Sequence, residues 1–229
     1  MRKLINVIKS FPWYGWVFSF VLLGLEYGFY LLGGVVGKAI GLEPFCPKIP
    51  AIDNLFRFTP IFIIPYVIAY AYWVVGALVM SLDTKRVFIN YVLANVLAYI
   101  IGFLIFIFFP TYISRTSEGV FDTLGNDFIG WLCKFIYNND GGEYGHNLLP
   151  SYHCILSTFC YLGVRKNKVF TLSFRIYTLV GCILICLSTL FVKQHYFVDV
   201  VLGVGIAIGC YYTVKFLNPG RDIARHFLL

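Results

Sequence analysis

Hydrophobic residues run along this chain in long unbroken stretches instead of alternating with polar ones. Six stretches stand out, at about 12–34, 59–81, 87–109, 152–164, 171–192 and 197–217. Most are near the roughly 17 to 25 residues with which an α-helix crosses a bilayer. The 152–164 run is short and is expected to be extended by its flanks. The first run follows Met1-Arg2-Lys3, yet it is too long and aromatic for a cleaved leader and lacks a small-residue cleavage site. It is read as a retained helix. The pattern predicts an all-α, polytopic membrane protein. Six transmembrane helices form one bundle, the whole of 1–229 is a single membrane domain, and 110–150 is a long loop.

Composition agrees. Hydrophobic residues make up 59% of the chain and charged residues only 13%, against about 25% in a typical soluble domain. The seven cysteines show no CxxC or Cys/His pair at zinc spacing, and most lie in apolar runs, where a free thiol behaves as a small hydrophobe. Neither a disulfide framework nor a metal site is expected.

Lys and Arg set the orientation, because positive loops stay in the cytoplasm. The N-terminus (Arg2, Lys3, Lys9), the 85–86 turn, the 165–175 turn (Arg165, Lys166, Lys168, Arg175) and the tail (Lys215, Arg221, Arg225) hold twice as many as the other loops. Both termini are therefore placed in the cytoplasm, and the 110–150 loop outside it. The net charge of +7 suits contact with anionic lipid headgroups, and no cluster points to nucleic acid.

Three polar segments then fall on the same extracytoplasmic face: 109-FPTYISRT-116, 149-LPSYHC-154 and 188-STLFVKQHYFVDV-200. Ionisable groups at membrane depth usually face a cavity or a partner. His195 and Asp199 are four apart and share a helix face, so the carboxylate can orient one imidazole nitrogen and leave the other as base or nucleophile. Taken alone, Asp199 could equally pair with Lys193 or cap the next helix. Ser151 and His153 open the fourth run, where a helix N-terminus offers free N–H groups to a phosphate. Simple capping with an interfacial His explains the same residues. Arg115 adds a guanidinium suited to phosphate oxygens, although an ordinary loop Arg would look the same.

Pro-Ser-x-His, followed about 35 residues later by Ser-x6-His-x3-Asp, resembles the type-2 phosphatidic acid phosphatase superfamily of membrane lipid phosphatases and phosphotransferases. The resemblance runs from about Phe109 to Asp199 in motifs. It implies that His195 is the nucleophile taking the phosphoryl group, Asp199 its orienting partner and His153 the general acid. It also implies that Ser151, Tyr152 and neighbouring amides hold phosphate oxygens, that Arg115 ends the first motif, and that no metal or other cofactor is needed. The chain departs from the family at Phe108 where the family has Lys, at Thr116 for Pro, at Thr189 for Arg and at Tyr152 for Gly. Two phosphate-binding cations are thus missing, and Lys193 is the candidate substitute. The third motif is similar to that of inositol phosphorylceramide synthases, which implies a headgroup transferase as the second reading. A non-catalytic lipid-binding protein is the third.

Lesser features carry weaker expectations. Glu26 lies in the first run, as a packing residue or as a lining of the lipid path. Gly33-x3-Gly37 and Gly205-x3-Gly209 are read as close-packing sites between helices of one chain. The segment 127–140 is an amphipathic helix, either a lid in the membrane interface or a plain surface helix. His146 and His226 are given no role. The compact chain points to a bacterial plasma (inner) membrane, with a lipid phosphate or diphosphate as substrate; oligomeric state is left open.

Overall fold

The computed structural model describes residues 10–167 and 169–227. Arg2, Lys3, Lys9 and Lys168, which enter the charge count above, lie outside the described residues, as does the side chain of His226. Among the described residues, five helices are long and apolar enough to cross a membrane: α1 (Trp13–Ile40), α2 (Ile63–Met80, led in by a short turn from Pro60), α3 (Lys85–Phe108), α6 (Leu172–Phe191) and α7 (Phe197–Leu217). The other named helices are α4 (Phe128–Asn139), α5 (Tyr152–Val164) and α8 (Gly220–Phe227). Single helical turns occupy Pro50–Asp53 and Val120–Thr123.

The 152–164 run is not extended by its flanks. α5 has 13 residues, about 20 Å of helix, and Ser151 stops it by accepting the Cys154 N–H. A helix this short needs no full crossing because other helices surround it: α5 packs against α2, α3, α6 and α7, and nearly every residue of it is buried. Its N-terminus therefore sits well inside the bundle. Trp73 of α2 donates its indole N–H to Ser157 at 2.9 Å, which fixes α5 against α2.

Small residues set the closest approaches, as expected where lipid supplies no hydrophobic drive between helices. A Cβ at Gly33 would come 2.9 Å from Phe106 Cβ, and one at Gly37 3.4 Å from the Phe106 carbonyl, so α1 lies tight on α3. Gly205 and Gly209 behave differently from the expectation: a Cβ on either meets nothing within 4 Å, because this stripe of α7 faces outward.

The end of the bundle nearest α5's start is closed by three interlocked loops. Among the described residues, β structure is confined to this end, as one pair of three-residue strands and a single bridge in an otherwise helical fold. Tyr112–Ser114 (β1) pairs antiparallel with Tyr144–His146 (β2), in register Tyr112 with His146, and Phe45 forms a parallel bridge to Thr111. Asp53, buried in the 41–59 loop, accepts the Phe197 N–H at 2.7 Å and so ties that loop to the start of α7. Glu118 joins Lys48 at 2.7 Å and Lys193 at 2.9 Å and accepts the Tyr196 hydroxyl at 3.0 Å. Burial pushes the Glu118 carboxyl up, but hydrogen bonds and charge from the two lysines outweigh it and hold the group below its ordinary value.

Candidate active site

α5 and α7 enter this end of the bundle side by side. The Ser151 N–H donates to the Asp199 carbonyl at 3.1 Å, and Gly203 permits the contact, since a Cβ there would stand 2.6 Å from the Ser151 carbonyl oxygen. Backbone contact thus brings together two segments more than forty residues apart. His153 follows on the first turn of α5, and His195 precedes α7. Their ring centroids are 6.3 Å apart, and both line one cavity of ≈160 Å³.

The surroundings of the two imidazoles differ. His153 is buried, stacked on Tyr66 at 4.2 Å between centroids, with Trp73 and Tyr70 edge-on. Its Nε2 is buried with no hydrogen-bond partner, so an aromatic cage fixes the ring while leaving one nitrogen unspent. His195 Nδ1 lies 3.5 Å from Asp199 Oδ2, close enough to feel the carboxylate but without hydrogen-bond geometry. The same Oδ2 accepts the Tyr196 N–H at 2.8 Å, and Asp199 is fully buried. Asp199 therefore does both things its spacing allowed: it satisfies a free N–H at the start of α7 and it faces the imidazole.

Tyr152 also lines the cavity and donates its hydroxyl to the Tyr99 carbonyl at 2.7 Å. The remaining candidates do not line it. Ser151 is fully buried with its oxygen on the Cys154 N–H, the capping role. Lys193 turns away from His195: at φ 52° it leaves helical geometry, and its ammonium pairs with Glu118 and approaches the Asp53 carbonyl. The expectation that Lys193 supplies charge beside His195 is corrected accordingly. Arg115 is fully buried, and its terminal nitrogens bind the Asp140 carboxylate at 2.6 Å, the carbonyls of Asp140 and Gly142, and Gln194 Oε1 at 2.8 Å. The Tyr137 ring lies 4.7 Å from its Cζ. The expected direct hold of Arg115 on phosphate gives way to this network one step behind the cavity.

The network delivers residues that the motifs did not mark. Arg115 takes the oxygen of the Gln194 amide, which fixes the amide's orientation, and Gln194 Nε2 is left buried without a partner on a residue lining the cavity. Asp140, held by Arg115 and by the Tyr30 hydroxyl, lines the same wall. Glu26, buried on α1, also lines the cavity. His146, given no role from sequence, lies on this wall as well; burial lowers its imidazole from the ordinary value, against the pull of Asp140. No Lys or Arg is among the lining residues. No group of three or more His, Cys, Asp or Glu among the described residues is placed to hold a metal ion.

A larger cavity of ≈690 Å³ lies alongside, between the last turns of α1 and the β1–β2 loops. It shares Tyr30, Phe106, Asn139, Asp140, His146 and Asn147 with the first.

Residues 47–213 match the model of the PAP2 superfamily, a span that contains Arg115, His153, His195 and Asp199. No curated protein and no solved structure matches the chain.

Proposed function

The chain belongs to the PAP2 superfamily, and on that premise we propose that it is a multi-pass membrane phosphatase that hydrolyses a lipid phosphate or diphosphate through a phosphohistidine. The observation that carries the reading is the placement of His153 and His195 on one small cavity, each with a nitrogen free of protein partners or facing Asp199. In the reaction, His195 Nε2 attacks phosphorus, the N–P bond forms, and the bond from phosphorus to the leaving oxygen breaks. His153 gives its proton to that oxygen. Water then attacks phosphorus, the N–P bond breaks, and the proton released from water returns to His153. Asp199 holds His195 and stabilises the charge it gains.

With Lys and Arg absent from the lining, the phosphoryl oxygens are received by neutral donors, Gln194 Nε2 first among them. Arg115 is then a positioning residue acting through Gln194 and Asp140. Such oriented donors in a water-poor site cost no reorganisation during the reaction, so they can replace a mobile cation.

In this reading α5 counts as the sixth element of the bundle, short because helices surround it, and the sequence's excess of Lys and Arg in alternate loops favours cytoplasmic termini with the histidines toward the extracytoplasmic side. The lipid's hydrocarbon remains in the bilayer. On α4, Phe128, Trp131 and Phe135 form an exposed ridge of stacked rings that suits the membrane interface beside the site.

The neighbouring ≈690 Å³ cavity favours a second reading. It would seat an alcohol next to the phosphohistidine and make the enzyme a headgroup transferase, in line with the third motif's likeness to inositol phosphorylceramide synthases. Phosphate release from a panel of lipid phosphates, with and without added polyols, tests both. Release to water supports the phosphatase. Consumption of the lipid phosphate that needs an added alcohol, with the phosphoryl group recovered on that alcohol instead of as free phosphate, supports the transferase. Neither product from folded protein overturns the proposal.

A further inference from the structure

At the end of the bundle opposite the histidines, another cavity of ≈390 Å³ opens between the start of α3, the end of α5 and the end of α7. Arg86, Lys166 and Lys215 line it, against Asp83 as the one carboxylate. Asp83 is already engaged by the Thr84 N–H and the Asn167 side-chain amide. Among the described residues, none of the three cations forms an ion pair. Three cations gathered against one carboxylate leave a net positive cleft, and their mutual repulsion falls when a further anion joins them.

Two features make this more than a scatter of basic side chains on a positive face. α3 begins here with Lys85 and Arg86 and no acid in its first turn, although a helix start itself favours negative charge. The amide end of the helix and its first-turn cations thus attract the same kind of ligand. The floor is also fixed: Asn90 donates to Asn218 Oδ1 and accepts the Gly220 N–H, each at 2.8 Å. A Cβ on Gly220 would come 2.6 Å from the Arg86 carbonyl, so the start of α8 is clamped against α3. The cleft is braced by the Asn90 amide bonds and the close packing of Gly220, not by the cations themselves.

We propose that this cleft binds a phosphate-bearing anion, either the headgroup of an anionic phospholipid or free phosphate, at a site separate from the catalytic cavity. From Asp199 to Lys215 runs about 24 Å of helix, so one bound group cannot occupy both. Basic pockets between membrane helices near the headgroup layer take such ligands.

The test uses the full chain in neutral detergent, with the unfolding midpoint followed during titration with short-chain phosphatidylglycerol, short-chain phosphatidylcholine or inorganic phosphate. The expected result is a rise with phosphatidylglycerol and none with phosphatidylcholine. A matching rise with inorganic phosphate would assign the site to the free anion; no rise with it assigns the lipid headgroup. The variant Arg86→Gln/Lys166→Gln/Lys215→Gln should bind on the order of 100-fold more weakly, from a factor of about five per cation. Arg221→Gln/Arg225→Gln, outside the cleft, and His195→Ala should bind as the wild type does. All three cleft cations are exposed, so their replacement should leave the fold intact. Should the triple variant not fold, Lys166→Gln and Lys215→Gln singly provide the same comparison at about fivefold each. Unchanged binding in these variants, an equal response to phosphatidylcholine, or no response to either anion overturns the proposal.

Discussion

Gln194 Oε1 accepts a hydrogen bond from Arg115 at 2.8 Å across 79 residues of sequence, and the contact turns an otherwise indifferent amide into an oriented donor at the cavity wall. The chain lacks two of the cations its motifs lead one to expect, and this pair shows how it can do without them. The buried Arg stays with Asp140 and the loop carbonyls, and a neutral N–H without a protein partner is left on a residue of the cavity wall.

Removing that donor should weaken phosphate handling without unfolding the protein. Gln194→Leu is expected to lower kcat/KM by about 10- to 100-fold, the worth of about 1.5–3 kcal/mol for a hydrogen bond to a charged group. Unchanged kcat/KM would remove Gln194 from the site. Arg115→Met should instead appear in stability, because it strands Asp140; the cost lies near the low end of about 3–5 kcal/mol for a broken buried pair, as Asp140 keeps some exposure. A melting curve matching the wild type would show the network to be dispensable.

The two histidines should not be equivalent. His153→Ala is expected to slow the step that expels the leaving group by about 10²–10⁴-fold, and the loss should shrink for substrates whose leaving group needs no proton. Asp199→Asn should cost less than His195→Ala, because an amide oxygen can still accept the Tyr196 N–H and face the imidazole, whereas nothing replaces the attacking nitrogen. Equal losses in the two variants would contradict this division of roles.

Acid should weaken the loop closure through Glu118. Its carboxyl is held below the ordinary value of 4.5 in the folded chain, so its stabilisation is fully present above that value and is lost as pH falls through the lower folded value. The difference in unfolding midpoint between the wild type and Glu118→Gln should be constant from neutral pH down to about pH 5 and shrink below 4.5. A difference that grows on acidification would reverse the sign and refute the assignment.

The contact between α5 and α7 can be tested by one methyl group. Gly203→Ala drives a Cβ to 2.6 Å from the Ser151 carbonyl, a backbone atom that cannot swing aside. The overpacking should cost about 1–3 kcal/mol and reduce turnover even where the protein stays folded. Gly205→Ala, whose Cβ meets nothing within 4 Å, should be silent. Similar behaviour of the two would mean that α7 does not dock as described.

Much of this site was readable from sequence because it rests on local spacing. Run lengths marked the long helices, and Ser151 stood where a helix start needs a cap; Asp199 lies near His195 from the first turn of α7, while His195 itself precedes the helix and shares no helix face with it. Features made by long-range folding were not readable. Tyr66, Tyr70 and Trp73 cage His153 from a helix some 80 residues earlier, and they look like any aromatic residues of an apolar run. Asp140 meets Arg115 only because β1 and β2 pair. Closeness of Lys193 to His195 in sequence did not fix its direction, and a left-handed backbone at Lys193 goes with an ammonium paired to Glu118. Glu26 did carry a usable signal, since an acid inside an apolar run usually faces a cavity.

In the proposed reaction His195 takes the phosphoryl group. The most direct measurement incubates the wild type, His153→Ala and His195→Ala with a ³²P-labelled lipid phosphate, quenches in base, and maps the labelled peptide. The wild type should carry an acid-labile, base-stable label on the peptide containing His195, and His195→Ala should show neither label nor phosphate release. Label or full turnover in the His195→Ala protein would contradict it.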